Sequence, residues 1–366
     1  MSCYTSELSP QCFRAAQWWL HSGIQTPSGG VARYYRTDLQ QNHPVSTEIT
    51  GYAIGALVYL HTLSHDPQFL DRAAAAARFL TGAAWDPTSS TMPFELAPQP
   101  FTYFFDCGIV VRGLLSAWRA TGIDEFRDTA AALGSSMARD FISPSGDIHP
   151  IVSLPSKSPV ERDPTRWSRS PGCYQLKAAM AWFDLAQATG CAEYRDWYRQ
   201  ALDSALRCHQ EFLPGHPDSL KVMDRLHAYS YFLEGLLPRA TDPECARALA
   251  GGIALAARFL RDIAPQFERS DVYAQLLRVR LHADWAGAVP LDRAAAEWEA
   301  TRLAGFQAAS DDPRIDGGFY FGRHRGAWLP YVNPVSTAFA LQALALWDAA
   351  SSGAAGGIRP HLHLLI

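Results

Sequence analysis

The sequence predicts an all-α protein in which six helical hairpins close into a ring, an (α/α)6 toroid. Ala-rich stretches such as residues 71–80 favour helix, and alternating apolar and polar stretches of strand length are scarce. Two kinds of helical segment also alternate along the chain, six of each. Segments of one kind are apolar on all sides and those of the other carry a single apolar stripe, as is typical of buried and surface helices respectively.

The apolar segments are expected to form the inner ring, because a helix without a polar face needs burial on every side. Each begins near a Ser, Asp or Asn that can cap a helix, and each is rich in small and aromatic residues. The six predicted inner helices cover residues 46–63, 106–121, 170–189, 224–237, 270–285 and 333–349.

The amphipathic segments are expected to form the outer ring, each packed on an inner neighbour. Hairpins that cannot bury their apolar faces alone must stack, and the last inner helix can pair with the first outer helix to close the ring. An open helical solenoid is the alternative, and it would need atypical capping repeats at its ends. The predicted outer helices cover residues 10–22, 66–81, 124–141, 192–212, 242–263 and 291–306.

One domain is expected to span residues 1–350, with both rings built around a single core. Residues 351–357 are rich in Gly, Ala and Ser, which favours a flexible linker-like conformation. Residues 351–366 are therefore predicted to form a flexible C-terminal tail.

Charge and composition exclude several classes of function. The 32 Lys and Arg residues against 36 Asp and Glu give a net charge of −4, which argues against nucleic-acid binding because that needs clustered cations. No apolar run reaches the ~18 residues that cross a bilayer, no signal peptide is evident, and the seven cysteines are dispersed. We therefore expect a soluble, cytoplasmic protein with no membrane partner, no metal site and no cofactor. The sequence leaves the oligomeric state open.

Long linkers precede the predicted inner helices, at residues 26–45, 86–103, 143–169, 214–223 and 311–332. The inner helices of such a ring run in one direction, so their N-terminal ends and these linkers share one rim. Loops of this length in a compact domain usually carry function, and helix N-termini are partly positive. We expect the functional site at this rim.

Two of these linkers combine aromatic rings with charged side chains. Glu95 and Tyr103 lie in the second linker, and Tyr320, Arg323 and Trp328 lie in the last. Aromatic faces stack on the apolar CH face of a sugar while charged groups bind its hydroxyls, so these five residues are predicted to bind a carbohydrate. Alternatively, the rings only anchor the loops to the helices.

Two carboxylates at the starts of inner helices are candidate catalytic groups. Glu48 lies in the first predicted turn after Ser46, and Asp106 follows a run of aromatic residues. An apolar neighbourhood would raise the pKa of Asp106 into the range of a general acid, and a carboxylate pair from two hairpins is typical of glycoside hydrolases. The alternative is a capping role for both residues at the helix N-termini.

Polar residues also open the fourth and fifth inner helices. His227 and Tyr229 are expected within the first two turns of the fourth, where they could position or shuttle protons. Asp271, Tyr273 and Gln275 open the fifth in the same way and are predicted to bind substrate. A hydrogen-bonded core histidine is the alternative for His227.

Arginines in the linkers favour a substrate that carries a negative charge. Arg169 precedes the third inner helix and Arg323 precedes the sixth. Guanidinium groups around a cavity would suit a uronate carboxylate. The alternative is that each arginine pairs with a surface carboxylate.

Four segments carry a resemblance to a known group of proteins. VSTEITGYAIGALVYL, FFDCGIVVRGLLSAWRATG, LHAYSYFLEGLL and the Gly-rich loop before NPVSTAFALQAL resemble the six-hairpin glycosidase-like superfamily of (α/α)6 toroids. The closest likeness is to uncharacterised toroid proteins encoded with bacterial polysaccharide genes. The superfamily includes glycoside hydrolases, unsaturated glucuronyl hydrolases and N-acylglucosamine 2-epimerase-type enzymes, so the resemblance implies a carbohydrate context.

The resemblance also assigns motif positions, and the sequence departs from some of them. Val332, Asn333 and Pro334 stand where the last motif has Pro-Asn-Trp, and Ala338 stands near its Lys position. Asp106 stands where relatives tend to have a small or polar residue. The matched positions are Glu48, Gly51 and Tyr52 in the first motif, Gly108 in the second, His227 and Glu234 in the fourth, and Gln275 in the fifth. Tyr52 is counted on this basis with the substrate-binding residues.

The sequence therefore predicts a carbohydrate-active enzyme, and foremost a glycoside hydrolase acting on oligo- or polysaccharide fragments. Glu48 and Asp106 would supply acid/base catalysis, assisted by His227 and Tyr229. Two alternatives stay open: a uronate-sugar epimerase or lyase in which His or Tyr abstracts a proton from carbon, and a glycan-binding toroid without catalysis.

Overall fold

The computed structural model describes residues 8–96, 101–352 and 361–366, in which twelve α-helices alternate between an inner and an outer ring. The inner helices are α2 (Thr47–Ser64), α4 (Phe104–Thr121), α6 (Leu176–Thr189), α8 (Ser219–Leu236), α10 (Ser270–Trp285) and α12 (Pro334–Ser351). The outer helices are α1 (Pro10–His21), α3 (Pro67–Thr81), α5 (Asp124–Phe141), α7 (Ala192–Cys208), α9 (Pro243–Ile263) and α11 (Arg293–Ala304).

The inner helices form a closed ring. Each packs against the next in chain order, and α12 packs against α2. Each inner helix also packs against an outer partner, and α1 pairs with α12, at the opposite end of the chain. The prediction of an all-α (α/α)6 toroid is confirmed, and the contact between α12 and α2 excludes an open solenoid.

Glycine allows two pairs of neighbouring inner helices, α2 with α4 and α4 with α6, to approach closely. A Cβ atom on Gly113 of α4 would lie 2.6 Å from the carbonyl oxygen of Gly51 on α2, and one on Gly108 would lie 2.5 Å from the carbonyl oxygen of Ala178 on α6. No side chain fits at either position. Small residues in the predicted inner helices therefore set the spacing of the ring.

Two inner helices begin at residues other than those predicted. A short 3-10 turn, Cys173–Gln175, precedes α6, so this helix begins later than residue 170. Helix α8 begins earlier than residue 224, because the Asp218 side chain accepts a hydrogen bond from the Leu220 amide and caps it. His227 therefore lies in the third turn of α8 rather than in its first two.

Short antiparallel strands order the linkers at the N-terminal rim. They pair as β1 with β4, β5 with β6, β10–β2–β3 and β7–β8–β9, and β4, β5 and β7 each lead directly into an inner helix. The strands are β1 (Val31–Ala32), β2 (Tyr35–Arg36), β3 (Gln41–Asn42), β4 (Val45–Ser46), β5 (Phe101–Tyr103), β6 (Ile151–Ser153), β7 (Phe267–Arg269), β8 (Gly322–His324), β9 (Ala327–Trp328) and β10 (Tyr331–Val332). The rim is thus a set of small sheets.

The last six residues contradict the predicted flexible tail. Leu365 and Ile366 are buried against the inner helices, and Arg112 Nη1 donates to the Leu365 carbonyl at 2.8 Å. Lys177 Nζ and Arg278 Nη1 both donate to the Ile366 main-chain oxygen at 3.0 Å. The segment stays in place because its apolar side chains are buried and its carbonyls meet buried cations; residues 353–360 of the predicted tail lie outside the described residues.

None of the helices in the described ranges is both long enough and apolar enough to cross a bilayer. The buried apolar side chains instead form one continuous cluster that includes members of every inner helix. The core therefore lies between the two rings and inside the inner ring.

Candidate functional site

A cavity of about 370 Å³ opens at the N-terminal rim, where the sequence analysis expects the site. Helices α2, α4 and α8 and the linkers that precede the first three hairpins form its walls. Its aromatic walls are Phe94, Tyr103, Phe105, Trp167, Tyr174 and Tyr231, and its polar groups are Arg33, Glu48, Asp106, Ser168, Gln175 and His227. Aromatic walls with a few convergent polar groups are typical of a small-molecule site.

Glu48 and Asp106 lie in the first turns of the neighbouring helices α2 and α4. Burial raises the pKa of Glu48 to about 7. Burial and then repulsion by Glu48 raise the pKa of Asp106 well above its usual value. Arg33 opposes both shifts without cancelling them. With both pKa values raised, one carboxyl can hold a proton near neutral pH and donate it while the other accepts one.

Neither carboxylate takes the capping role that the sequence analysis left open. Asp106 is the third residue of α4, after the N-cap Tyr103, and its Oδ2 has no hydrogen-bond partner among the described residues. The Ser46 side chain at the start of α2 makes no capping bond, so Glu48 forms no capping box with it. Both carboxyl groups are therefore available to a molecule bound in the cavity.

His227 presents a neutral imidazole to the cavity. Its Nδ1 lies 2.8 Å from Gln275 Oε1 and 3.4 Å from Asp271 Oδ2. Both partners are acceptors, so Nδ1 carries the proton and Nε2 carries a free lone pair. Burial lowers the pKa of His227, although Asp271 opposes the shift, which keeps the ring uncharged at neutral pH.

A chain of charged contacts holds His227 from behind. Arg269 donates to both oxygens of Asp271, at 3.0 and 2.6 Å, and to Asp224 at 2.5 Å. Asp224 accepts from Trp167 Nε1 at 2.7 Å, and Trp167 is itself part of the cavity wall. Burial opposes ionisation of Asp271, but the Arg269 charge outweighs it and lowers the pKa of Asp271. The imidazole is thereby oriented by an ionised carboxylate.

Two further polar groups complete the cavity. Tyr52 donates to the Tyr231 hydroxyl at 3.1 Å, so the Tyr231 proton is free to point at a bound molecule. Among the described residues, Arg33 is the one permanent cation in the wall, and its Nη1 lies 3.1 Å from Glu95 Oε1. The Arg33 guanidinium also lies 4.8 Å from the centre of the Phe94 ring.

The structure brings together eight of the residues predicted from the sequence. Four line the cavity: Glu48, Tyr103, Asp106 and His227. Four stand directly behind lining residues and hold them: Tyr52 behind Tyr231, Glu95 behind Arg33, and Asp271 and Gln275 behind His227.

Tyr229 and Tyr273 are corrections, because both point away from the cavity. The Tyr229 hydroxyl lies 3.2 Å from His209 Nδ1 at the end of α7, and the Tyr273 hydroxyl donates to Glu268 at 2.7 Å. Each lies two positions after a residue that faces the site, His227 and Asp271 respectively. Two positions along a helix turn a side chain to the opposite side.

The remaining predicted residues also lie outside the cavity wall. Tyr320 stacks on Trp328 with 4.9 Å between ring centroids, and Arg323 pairs with Glu268 and lies 5.5 Å from the Trp328 ring. These contacts form a separate cluster on the linker that precedes α12, next to β7. Arg169 ends a 3-10 turn and is close enough to Tyr103 to affect its pKa, but it is not part of the wall. The sequence analysis expected several arginines around the cavity, whereas the described lining contains Arg33.

The sequence analysis missed Tyr231, Arg33 and Trp167. Helical spacing could have found Tyr231, because it lies four residues after His227 and hence on the same face. The same spacing relates Glu48 to Tyr52 and Asp271 to Gln275. Arg33 and Trp167 lie in irregular linkers, where no periodicity indicates direction.

Comparisons with known proteins identify the fold. Scans against protein-family models and against curated proteins find no match. Solved structures do match: a sugar epimerase from a ruminal bacterium is 11% identical over 94% of this chain and 98% of that one, with a TM-score of 0.72. The cellobiose 2-epimerase of Spirochaeta thermophila is 16% identical over 95% and 97%, with a TM-score of 0.71. A variant of the unsaturated glucuronyl hydrolase of Streptococcus agalactiae is 10% identical over 95% and 93%, with a TM-score of 0.65.

These proteins share the whole ring with the present chain. The matches cover nearly the full length of both partners, so the order and number of hairpins are common to all of them. At these identities the likeness concerns the fold, and function has to be argued from the site.

Proposed function

We propose that this chain is a carbohydrate-processing enzyme that acts in the rim cavity, and foremost that it hydrolyses glycosidic bonds in oligo- or polysaccharide fragments. The observation that carries the proposal is the Glu48–Asp106 pair, two carboxyls with raised pKa values that line one cavity with aromatic walls. The ring of residues 1–350 would act as one catalytic domain, because separate hairpins supply the walls.

Hydrolysis would use the two protonation states of the pair. The protonated carboxyl donates its proton to the glycosidic oxygen as the bond from this oxygen to the anomeric carbon breaks. The ionised carboxylate either accepts a proton from the attacking water or attacks the anomeric carbon itself. In the second case a glycosyl ester forms, and water then cleaves it while the first carboxyl, now ionised, accepts the proton of the water. Aromatic walls would hold the CH faces of the sugar, while Tyr231 and Arg33 bind its hydroxyls.

The free lone pair of His227 favours a second candidate. A neutral imidazole held by Gln275 and Asp271 is suited to abstract a proton from a carbon next to a carbonyl or carboxylate. Arg33 or Tyr231 would then stabilise the resulting enolate oxygen. Reprotonation would give an epimer, and loss of a leaving group would give an unsaturated sugar.

Proton NMR in D2O separates these reactions. Neutral and uronate-containing oligosaccharides are incubated with the protein. Hydrolysis gives new reducing ends without deuterium at other ring carbons, whereas proton abstraction gives deuterium at the attacked carbon or an unsaturated product. A sugar that binds without any product would favour a glycan-binding toroid and contradict both enzymatic candidates.

Replacing His227 by Gln is expected to show whether His227 is the base that abstracts a proton from carbon or only a residue of the cavity wall. If His227 is the base, the rate of deuterium incorporation falls by about 10²–10⁴. If Glu48 and Asp106 carry out hydrolysis, the His227→Gln variant retains turnover within about tenfold of the parent.

Tyr229→Phe is the matched control, because Tyr229 lies on the same helix but faces His209. Initial rates of product formation are the measurement for both variants. Loss of activity in the control to the same extent would show that the effect comes from disturbing α8 and would remove His227 from the mechanism.

A further inference from the structure

We propose that residues 361–366 act as a plug on the axis of the inner ring, and that this plug positions Tyr231 in the wall of the rim cavity. The inference rests on the proposed function, in which the Tyr231 hydroxyl binds a sugar. It adds a positioning element that lies outside the cavity and acts on the site through Tyr231.

Ile366 lies near the axis of the ring, because its contacts come from inner helices on different sides. Its main-chain oxygen accepts hydrogen bonds from Lys177 of α6 and Arg278 of α10, both at 3.0 Å. Its amide donates to Gln342 Oε1 of α12 at 3.1 Å. On the side of α2, a Cβ atom on Gly55 would lie 3.7 Å from Ile366 Cγ1. A residue that touches four inner helices in this way fills the centre of the ring.

The plug is fixed along its length and not at Ile366 alone. Arg112 of α4 donates to the carbonyl groups of Leu365 and Leu362, at 2.8 Å each. Gln342 Nε2 donates to the Leu364 carbonyl at 2.6 Å. Charged and amide donors that meet buried carbonyl groups hold the segment in one conformation.

The charged group that holds Ile366 lies one layer below the cavity. The inner helices begin at the rim, so later residues of a helix lie farther from it. Arg278 follows Gln275 by one turn of α10, and Glu234 follows Tyr231 by one turn of α8. Glu234 Oε1 accepts from Arg278 at 2.5 Å. The plug and its cations therefore lie directly beneath Tyr231.

Two sets of contacts connect the plug to Tyr231, which itself lines the cavity. First, Tyr52 lines a narrow gap next to Ile366, and its hydroxyl donates to the Tyr231 hydroxyl at 3.1 Å. Second, the Arg278 guanidinium lies 4.0 Å from the centre of the Phe339 ring. The Phe339 ring meets Tyr52 and Tyr231 edge-on, with 5.3 and 6.5 Å between centroids.

A filled axis keeps the Tyr52 hydroxyl on Tyr231. Both tyrosines are 3% exposed in the plugged ring, so Tyr52 donates to Tyr231 and the Tyr231 proton stays available to a sugar hydroxyl. A gap at Ile366 would be lined by polar groups such as the Lys177 ammonium and would admit water. Water would then compete for the Tyr52 hydroxyl, and Tyr231 would lose its fixed orientation.

Fluorine NMR of the full chain labelled with fluorotyrosine tests the proposal, together with initial rates on the oligosaccharides of the NMR experiment above. Ile366→Ala removes a buried side chain of the plug, and Ile366→Val keeps most of it. Leu362→Ala is the matched control, because Leu362 belongs to the same segment but is partly exposed. Tyr52→Phe breaks the connection without touching the plug, and Tyr231→Phe assigns the Tyr231 signal by its loss. Urea unfolding confirms that each variant is folded.

We expect Ile366→Ala and Tyr52→Phe to move the Tyr231 signal and to lower kcat/KM by about tenfold, as for the loss of one hydrogen bond to the substrate. Ile366→Val and Leu362→Ala should change neither. An unmoved Tyr231 signal in Ile366→Ala, an equal effect of Leu362→Ala, or a moved signal with unchanged kcat/KM overturns the inference and leaves the proposed function intact. A moved signal in a protein that processes no oligosaccharide supports the positioning of Tyr231 by the plug and overturns the proposed function.

Discussion

The variant Glu48→Gln is expected to lose turnover by about 10²–10⁴ and yet to be more stable than the parent at pH 8. Burial raises the pKa of Glu48 in the folded protein to about 7, above the ~4.3 of an unfolded chain. The folded state therefore binds this proton more tightly, and its stability falls as the pH rises from about 4.5 to 7. A shift of this size corresponds to about 3 kcal/mol at pH 8, which Gln avoids because it does not ionise.

Urea unfolding at pH 4 and pH 8, together with initial rates, measures both effects. Glu125→Gln is the matched control, since Glu125 occupies the same second position of α5 but is exposed. We expect Glu125→Gln to change neither stability nor rate. Equal stability of Glu48→Gln and the parent at pH 8, with the rate retained, would show that Glu48 is an ordinary surface carboxylate.

The same pair predicts how the activity depends on pH. Turnover by acid/base catalysis needs one proton on the Glu48–Asp106 pair. This proton is lost above the raised pKa values of the two carboxyls. The rate of hydrolysis, measured as initial rates from pH 5 to 10, should therefore fall at alkaline pH. Asp106→Asn should lower turnover by about 10²–10⁴, as Glu48→Gln does.

The variant Glu234→Gln is expected to destabilise the fold by about 3–5 kcal/mol. Glu234 Oε1 accepts a hydrogen bond from Arg278 at 2.5 Å, its Oε2 forms an ion pair with Lys177 Nζ at 3.0 Å, and all three side chains are completely buried. Gln lacks the charge that compensates the two cations and turns an amide N–H₂ toward one of them. Lys177 can respond by losing its proton, because burial already lowers its pKa to about 7, but Arg278 remains charged.

The free energy of unfolding in urea measures this loss. Asp196→Asn breaks an exposed pair with Arg199 on α7 and is expected to cost about 1 kcal/mol or less. Lys177 and Arg278 also hold the Ile366 main-chain oxygen, so hydrogen exchange at Ile366 should accelerate in Glu234→Gln. A stability change as small as that of the exposed pair would contradict the account of this buried cluster.

The resemblance to known toroids matches Glu234 to a motif that also contains His227, and the structure separates their surroundings. His227 faces the cavity at the rim, whereas Glu234, two turns further along α8, lies among buried cations next to residues 361–366. Membership in one sequence motif therefore does not imply a shared role. Glu234 supports the ring, and His227 belongs to the proposed site.

The ring architecture and the location of the site could be predicted from the sequence, because both depend on patterns within short segments of the chain. The contrast between all-apolar and one-sided helices follows from the hydrophobic pattern of each segment, and it assigned every helix to the correct ring. Long linkers and first-turn carboxylates before the inner helices indicated the rim, and Glu48 and Asp106 do line its cavity. Helical spacing alone would also have favoured Tyr231 over Tyr229.

Other features depend on contacts between residues far apart in the chain, which no local pattern records. The raised pKa values of Glu48 and Asp106 arise from burial between two hairpins, and the orientation of His227 depends on α10. Residues 361–366 follow a Gly/Ala/Ser-rich stretch that predicts a flexible tail, but they are held by cations from three inner helices. Local hydrophobicity and capping specify which helices form and which face they bury, whereas closure of the ring brings distant polar groups out of water together and so creates the site.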